Sequence, residues 1–343
     1  MNNNQRRVLV TGGTGFVGGW TIAELLRRGE AVRTTVRDVS RAADIRSRLA
    51  TAGLSATLDR LEVVAADLSS DDGWAGAVAG CSVVHHVATP FLNTTDEDAV
   101  IRPAVDGALR VLRAARDAGV ERVIYTSSCG AVYYGHPPRD TPFTENDWTV
   151  VDGGPMSAYV KSKALAERAA WDFMTSEGGD LTLTTICPSG IFGPALAGRA
   201  ASSLALIDRL LKGAPPLVPD LRLVIVDVRD VVDLHLRAMD SSVAAGQRYI
   251  ASASGAISMI EVAKELRRTL GPDAAKVPRL PAPDWLVRLA GHFNAELRDL
   301  VPLLGQQRTA SADKAHRELG WNSRPWQETV VASARSLLTS SVR

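Results

Sequence analysis

Tyr159 and Lys163 stand four residues apart in Ser157-Ala-Tyr-Val-Lys-Ser-Lys163. Four residues is one helical turn, so on a helix both side chains share a face. A phenol beside an ammonium makes a proton donor near neutral pH, because the cation stabilises the phenolate and draws the tyrosine pKa downward. Upstream, Val123-Ile-Tyr-Thr-Ser-Ser128 reads as a buried strand ending in three hydroxyls. Ser128 is placed to hold a substrate carbonyl oxygen while Tyr159 donates a proton to it. Thr126 and Ser127 have a simpler reading as strand-end hydrogen-bonding residues, with Thr126 also bordering the same space.

A second kind of chemistry sits near the N-terminus. Val8-Leu-Val-Thr-Gly-Gly-Thr-Gly-Phe-Val-Gly18 is a strand, a glycine-rich turn and a helix start, and Gly13, Gly15 and Gly18 fit G-x-G-x-x-G. Glycine lets backbone approach a pyrophosphate closely, and the helix N-terminus offers N–H groups and a positive dipole to the phosphates. Gly12, Gly15, Phe16, Val17 and Gly18 are therefore expected to touch a dinucleotide. The second strand ends at Val36, followed by Arg37. An acidic residue there selects NAD through the ribose 2′-hydroxyl, whereas a guanidinium takes the 2′-phosphate of NADP. Arg37 points to NADP(H), with Asp38 one step on as the contrary signal. Asp67-Leu68, after the third strand, reads equally as an adenine-edge contact or a turn cap. Val87-Ala88-Thr89 is small-residue backbone that would line the cofactor.

These residues need a frame that brings them together. Short β-branched runs alternate with longer amphipathic segments through the first half, the pattern of βαβ units. Expected strands are Arg7–Val10, Ala31–Val36, Leu61–Ala65, Ser82–Val87, Arg122–Thr126 and Leu181–Cys187, with helices over Phe16–Arg28, Arg41–Leu49, Val100–Ala118 and Ala158–Ser176. Six such strands make an α/β fold, a Rossmann-type doubly wound parallel sheet. After Cys187 prolines punctuate the chain, and isolated strands at Leu223–Val226 and Arg248–Ala251 stand among helices near Val231–Met239, Ile260–Leu270 and Thr329–Leu338. The division expected is a dinucleotide-binding domain over 1–187 and a smaller C-terminal α/β substrate lobe over 188–343, with the strand at 248–251 able to rejoin the first sheet.

Composition excludes more than it selects. The 343 residues are 45% hydrophobic and 22% charged with a formal charge of +1, which gives no electrostatic case for nucleic acid or an anionic membrane. Cys81, Cys129 and Cys187 have no metal-ligand spacing, and so sparse a set fits a reducing compartment. The start leads into a strand without a signal-peptide segment, so a cytoplasmic protein is expected, as monomer or homodimer. His85-His86 lacks partners in metal spacing and reads as a packed pair; no metal is expected.

Taken together, the Gly12–Gly18 turn, Thr126-Ser-Ser128, Tyr159-x-x-x-Lys163 and Pro188-Ser-Gly-Ile-Phe-Gly-Pro194 resemble the extended short-chain dehydrogenase/reductase family, in family order and over nearly the whole chain. Thr34-Thr-Val-Arg-Asp38, Glu145-Asn-Asp-Trp148 and Ala164-Leu-Ala-Glu-Arg-Ala-Ala-Trp-Asp-Phe173 are similar to its dihydroflavonol reductase and cinnamoyl-CoA reductase-like branch. Val226-Asp-Val-Arg-Asp-Val-Val-Asp-Leu-His235 resembles a segment frequent in microbial aldehyde and ketone reductases of that branch. The resemblance implies an NADPH-dependent carbonyl reductase with Ser128, Tyr159 and Lys163 as the catalytic set and a small carbonyl compound as substrate. It also implies that Arg37 takes the 2′-phosphate, that Lys163 tunes Tyr159 and bonds the nicotinamide ribose, and that Pro188 and Ser189 border the nicotinamide.

One departure bears on the substrate. Plant dihydroflavonol reductases carry an Asn five residues after the catalytic serine, and this chain has Tyr133 there. That argues against a flavonoid and for a more apolar aldehyde or ketone, with Phe91 and Tyr133 against it or, alternatively, as packing aromatics. Two other functions share the pattern. A nucleotide-sugar epimerase or dehydratase with bound NAD would collect cations in the second lobe, where Arg279, Arg288, Arg298 and Arg308 are available. A non-catalytic NADP sensor would have no need of the Tyr/Lys pair.

Overall fold

The computed structural model describes residues 6–90, 94, 96–197, 203–253, 255–293, 301 and 304–341. Its strands are β1 (Arg7–Val10), β2 (Ala31–Val36), β3 (Leu61–Ala65), β4 (Val83–His86), β5 (Arg122–Thr126), β6 (Thr182–Pro188), β7 (Gly190–Phe192), β8 (Arg222–Leu223), β9 (Ile225–Asp227), β10 (Arg248–Ala251) and β11 (Ile257–Ser258). The helices are α1 (Phe16–Arg27), α2 (Ala42–Leu49), α3 (Trp74–Val78), α4 (Glu97–Asp117), α5 (Ala158–Ser176), α6 (Leu204–Leu211), α7 (Val228–Asp240), α8 (Met259–Leu270), α9 (Asp284–Gly291), α10 (Asp313–Leu319) and α11 (Trp326–Ser341). Seven strands form one parallel sheet in the order β10-β6-β5-β4-β1-β2-β3.

Alternation along β1 explains why helices cover both faces. Val8 and Val10 join the core under α1, α2 and α7, while Leu9 between them joins the core under α3, α4 and α5. With both faces buried, even the polar residues of the strands, such as Arg33, Thr34, His85 and Thr185, are buried. Each fully buried Leu or Ile contributes about 1.5–3 kcal/mol relative to exposure. Helix starts are capped by side chains where the sequence supplies them. Asp96 accepts the N–H groups of Asp98 and Ala99 at 3.1 and 3.4 Å, so α4 begins three residues before the expected Val100. Ser157 accepts Val160 N–H at 3.3 Å and opens α5 at the expected Ala158.

The chain beyond Cys187 divides between two cores. β10 pairs in parallel with β6, and α7 and α10 pack with it on the large sheet. A separate core is built by Phe192, Leu204, Ile207, Ile225, Val262, Leu266 and Val330, from α6, α8 and α11 with the small strands. The single strand expected at Leu223–Val226 is two: β8 runs antiparallel to β11, and β9 runs parallel to β7. The chain changes partner at Val224, which lies in neither ladder. Among the described residues no helix is long and apolar enough to cross a membrane, and all three cysteines are buried and free.

Candidate active site

Strand order reverses between β1 and β4, and outside the carboxyl ends of these strands opens a cleft of about 1080 Å³. A doubly wound sheet binds its ligand at this switch point. The described residues expected to meet an NADP(H) cofactor or a carbonyl substrate line this one cleft, from Gly12 and Arg37 at one end to Ser128, Tyr159 and Tyr133 at the other. Phe91 lies outside the described residues. Another cavity, of about 820 Å³, sits at the opposite ends of the strands, but its cations are spent. Arg122 caps the carbonyls of Ala238, Met239 and Ser241, and Arg6 pairs with Glu30 and Asp240.

At the phosphate end the turn leaves room only for backbone. Gly12 has φ +74°, and a Cβ there would come within 3.1 Å of Ala88 Cα; a Cβ on Gly18 would fall 2.3 Å from the Gly12 carbonyl oxygen. Gly15 caps α1 with no side chain over the helix end and no acidic residue in the first turn. This cradle, with its open helix N-terminus beside Phe16 and Val17, fits a pyrophosphate. Arg37 is exposed on the rim. Asp38 is folded into its own turn, where it accepts Ser40 N–H at 2.9 Å and Ser40 Oγ–H at 2.6 Å; these bonds hold its carboxyl below the usual range. Asp67 behaves alike: Ser69 N–H and Oγ–H reach it at 2.9 and 2.8 Å and lower its pKa, so the capping reading holds while Asp67 and Leu68 still line the cleft.

Thr11 fixes the next wall, and nothing in the sequence singled it out. Its hydroxyl accepts the N–H groups of Val87 and Ala88 at 3.0 and 2.9 Å. Its own hydrogen then goes to His86 Nδ1 at 3.0 Å, which leaves that nitrogen as acceptor on a neutral ring. Burial pushes His86 down to about 3, consistent with that neutral state.

At the other end α5 presents Tyr159, Lys163 and Glu167 one turn apart. Lys163 is buried, its Nζ donating to Thr89 Oγ1 at 2.7 Å and the Thr126 carbonyl at 3.4 Å. Burial pulls its pKa down to about 8, with the Glu167 charge opposing. Tyr159 opens 41% of its surface to the cleft, and the Ser128 hydroxyl hydrogen-bonds its phenol. The surrounding walls push the Tyr159 pKa up, and the Ser128 bond works against that rise. The lowering expected from Lys163 is thus absent from this geometry, because desolvation dominates and the ammonium is turned to Thr89 and Thr126.

Alternation sorts the hydroxyl cluster. Thr126 Oγ1 contacts His235 Nε2 at 3.2 Å on the far face, and Ser127 Oγ donates to Glu167 at 2.6 Å. Ser128 alone of the three meets Tyr159, its Oγ fixed by Gly130 N–H at 2.9 Å. Glu167 is fully buried and also accepts from Thr185 Oγ1 at 2.7 Å and Arg248 Nε at 2.8 Å, so it ties β5, β6 and β10 to the helix that carries Tyr159. Its spacing from Lys163 was the available signal. Beyond Pro188, Ser189 lines the cleft with a buried hydroxyl that has no partner among the described residues, a polar atom suited to a polar ligand. Tyr133 packs on Tyr134 and Phe143 at ring distances of 5.1 and 6.0 Å and also lines the cleft.

The chain is similar to known proteins over most of its length. The profile of the NAD dependent epimerase/dehydratase family matches residues 8–251. Dihydroflavonol 4-reductase of Zea mays is 36% identical over 256 residues, covering 71% of this chain and 69% of that protein. Cinnamoyl-CoA reductase 2 of Arabidopsis thaliana is 36% identical over 247 residues, 71% of each. The crystal structure of yeast methylglyoxal/isovaleraldehyde reductase complexed with NADPH shares the fold, with a TM-score of 0.78 at 24% identity over 98% of this chain and 99% of that one. With the dinucleotide cradle, the Tyr159/Lys163 pair and these relatives in view, the chain belongs to the NAD dependent epimerase/dehydratase family, the extended short-chain dehydrogenase/reductases, in the branch of the dihydroflavonol and cinnamoyl-CoA reductases.

Proposed function

We propose that this protein is an NADPH-dependent reductase of aldehydes or ketones, with Tyr159 as the proton donor. One observation carries the reading: the hydrogen-bonded Ser128 and Tyr159 stand in the same cleft as Lys163, the glycine cradle and Arg37. NADPH, when bound, supplies the hydride. Gly12, Gly15 and Gly18 give the pyrophosphate its close approach at the start of α1. Arg37 pairs with the 2′-phosphate, since Asp38 is committed to Ser40 and does not line the cleft. Thr126, Pro188 and Ser189 border the nicotinamide, and Lys163 bonds the ribose beside it.

Ser128, held by Gly130, orients the substrate carbonyl oxygen. As negative charge develops there, Tyr159 passes its phenolic proton to that oxygen. Burial disfavours the phenolate left behind and the Ser128 hydrogen bond favours it; Lys163, one helical turn away, steadies it when its ammonium turns from Thr89 toward the phenol. The reductase activity of the maize and Arabidopsis relatives supports this reading, as does the NADPH complex of the yeast protein of like fold. The epimerase reading needs grouped cations. Arg308 lines the cleft, Arg279 and Arg288 do not, and Arg298 lies outside the described residues.

The test follows NADPH absorbance with purified protein across aromatic aldehydes, aliphatic ketones and flavonoids, with NADH as control. The expected result is NADPH consumption with aldehydes or ketones, faster than with flavonoids or with NADH. No consumption with any carbonyl, together with NAD retained through purification, would instead support the epimerase.

A further inference from the structure

We infer that the carbonyl substrate of this cleft carries an anionic group, a carboxylate or a phosphate, and that Arg308 is its counter-ion. The inference rests on the reductase reading above and adds the substrate's charge to it.

Arg308 sits on a strap whose backbone is tied on both sides of it. Gly305 N–H donates to the Asp220 carbonyl at 3.0 Å; further on, Phe143 N–H donates to Thr309 O and Ser311 N–H to Phe143 O, both at 2.8 Å. The strap therefore runs from the β8 wall to the aromatic cluster beside the proton donor. Between these ties the Arg308 guanidinium lies over the Tyr134 ring, 4.5 Å from its centroid. Tyr134 lines the same cleft as Tyr159.

Arg308 is half-buried, lines the cleft and pairs with no carboxylate among the described residues. Arg222, on the β8 wall next to the strap's anchor, also lines the cleft. Its Nε is buried without a hydrogen-bond partner and makes only a long ion pair with Asp220, at 3.7 Å. The acidic residue of the cleft lining is Asp67, at the opposite end and occupied by Ser69. Of the two guanidinium groups at the substrate end, Arg222 is thus loosely paired with Asp220, and Arg308 has no carboxylate partner among the described residues. Stacking on Tyr134 offsets part of the cost of desolvating Arg308, and a carboxylate or phosphate would complete the guanidinium's hydrogen bonds bidentately.

The test uses matched pairs of substrates with saturating NADPH at pH 7: 4-carboxybenzaldehyde against methyl 4-formylbenzoate, and glyceraldehyde 3-phosphate against glyceraldehyde. The charged member of at least one pair should have a kcat/KM roughly 10-fold or more above its neutral partner, as a charge-assisted hydrogen bond implies. The pair that shows the preference separates carboxylate from phosphate. In Arg308→Gln the ratio should fall to within about 2-fold of unity, and in Arg308→Lys it should stay between the two. A ratio does not depend on the folded fraction, so a poorly folding variant does not mimic the result. Equal or better turnover of the neutral members by the native protein, or a ratio unchanged in Arg308→Gln, overturns the inference while the reductase reading stands. If no member of either pair consumes NADPH, the reductase reading fails and the inference falls with it.

Discussion

Glu167→Gln should separate two consequences of one buried carboxylate. Glu167 has no exposed surface, and it accepts Ser127 Oγ–H at 2.6 Å, Thr185 Oγ1–H at 2.7 Å and Arg248 Nε–H at 2.8 Å. Glutamine keeps the shape and one acceptor oxygen but leaves the Arg248 guanidinium, only 9% exposed, without its counter-charge. Breaking a buried pair from one side costs about 3–5 kcal/mol. At about 2.1 cal/mol/K of unfolding entropy per residue, 343 residues give roughly 0.7 kcal/mol per degree, so Tm should drop by about 4–7 °C. The second consequence is a pH shift. Lys163, at about 8, is charged below that pH, and the Glu167 charge is what opposes its further depression. Without that charge the lysine loses its proton at lower pH, so the alkaline limb of kcat should move toward acid. Scanning fluorimetry and a kcat pH profile with NADPH read the two effects. Glu167→Gln with Arg248→Met should recover part of the Tm but not the pH limb. A Tm within about 1 °C of native, with an unmoved limb, refutes the reasoning.

Three further outcomes are expected. Arg37→Ala should raise the KM for NADPH by about 10- to 100-fold and leave that for NADH nearly as it was, because only the 2′-phosphate loses a charged partner; equal effects on both cofactors contradict this. Gly18→Ala would place a Cβ 2.3 Å from the Gly12 carbonyl, so NADPH binding followed by fluorescence should weaken by at least ~10-fold, and native affinity would contradict the cradle. Acid should destabilise the fold through His86 and His235, which burial holds at about 3 each. Their folded pKa values lie below the unfolded ~6.5, so the unfolded chain takes protons first as pH falls, and stability present above ~6.5 is lost toward ~3. Each should cost about 2 kcal/mol at pH 5, read as a lower urea midpoint than at pH 7.5; an unchanged midpoint contradicts it.

What the sequence made legible was what neighbours along the chain can encode. The glycine turn, the Tyr159/Lys163 spacing and the strand ending at Thr126 depend on residues within one or two turns of each other, and the structure places them in one cleft. Arg37 and Asp38 both lay in plain view, yet only the Ser40 bonds show which of them is committed elsewhere. Contacts set by chain closure were out of reach. Glu167 meets Arg248 across 81 residues, and Arg308 faces Tyr134 because a strap is tied to Asp220 and Phe143. The expected strand at Leu223–Val226 failed for the same reason, since its two halves answer to different partners. The sign of the Tyr159 shift was also beyond spacing, because desolvation is a property of walls that only the fold assembles.

The most direct measurement compares Tyr159→Phe with the native protein in two readouts, NADPH binding by fluorescence titration and turnover of an aldehyde or ketone the native protein reduces. Phenylalanine keeps the ring and removes only the hydroxyl that Ser128 bonds. The expected result is a Kd for NADPH within about 2-fold of native and a kcat lower by at least about 100-fold, the scale of a lost general acid. Undiminished turnover would show that the proton comes from elsewhere and would contradict the role given to Tyr159.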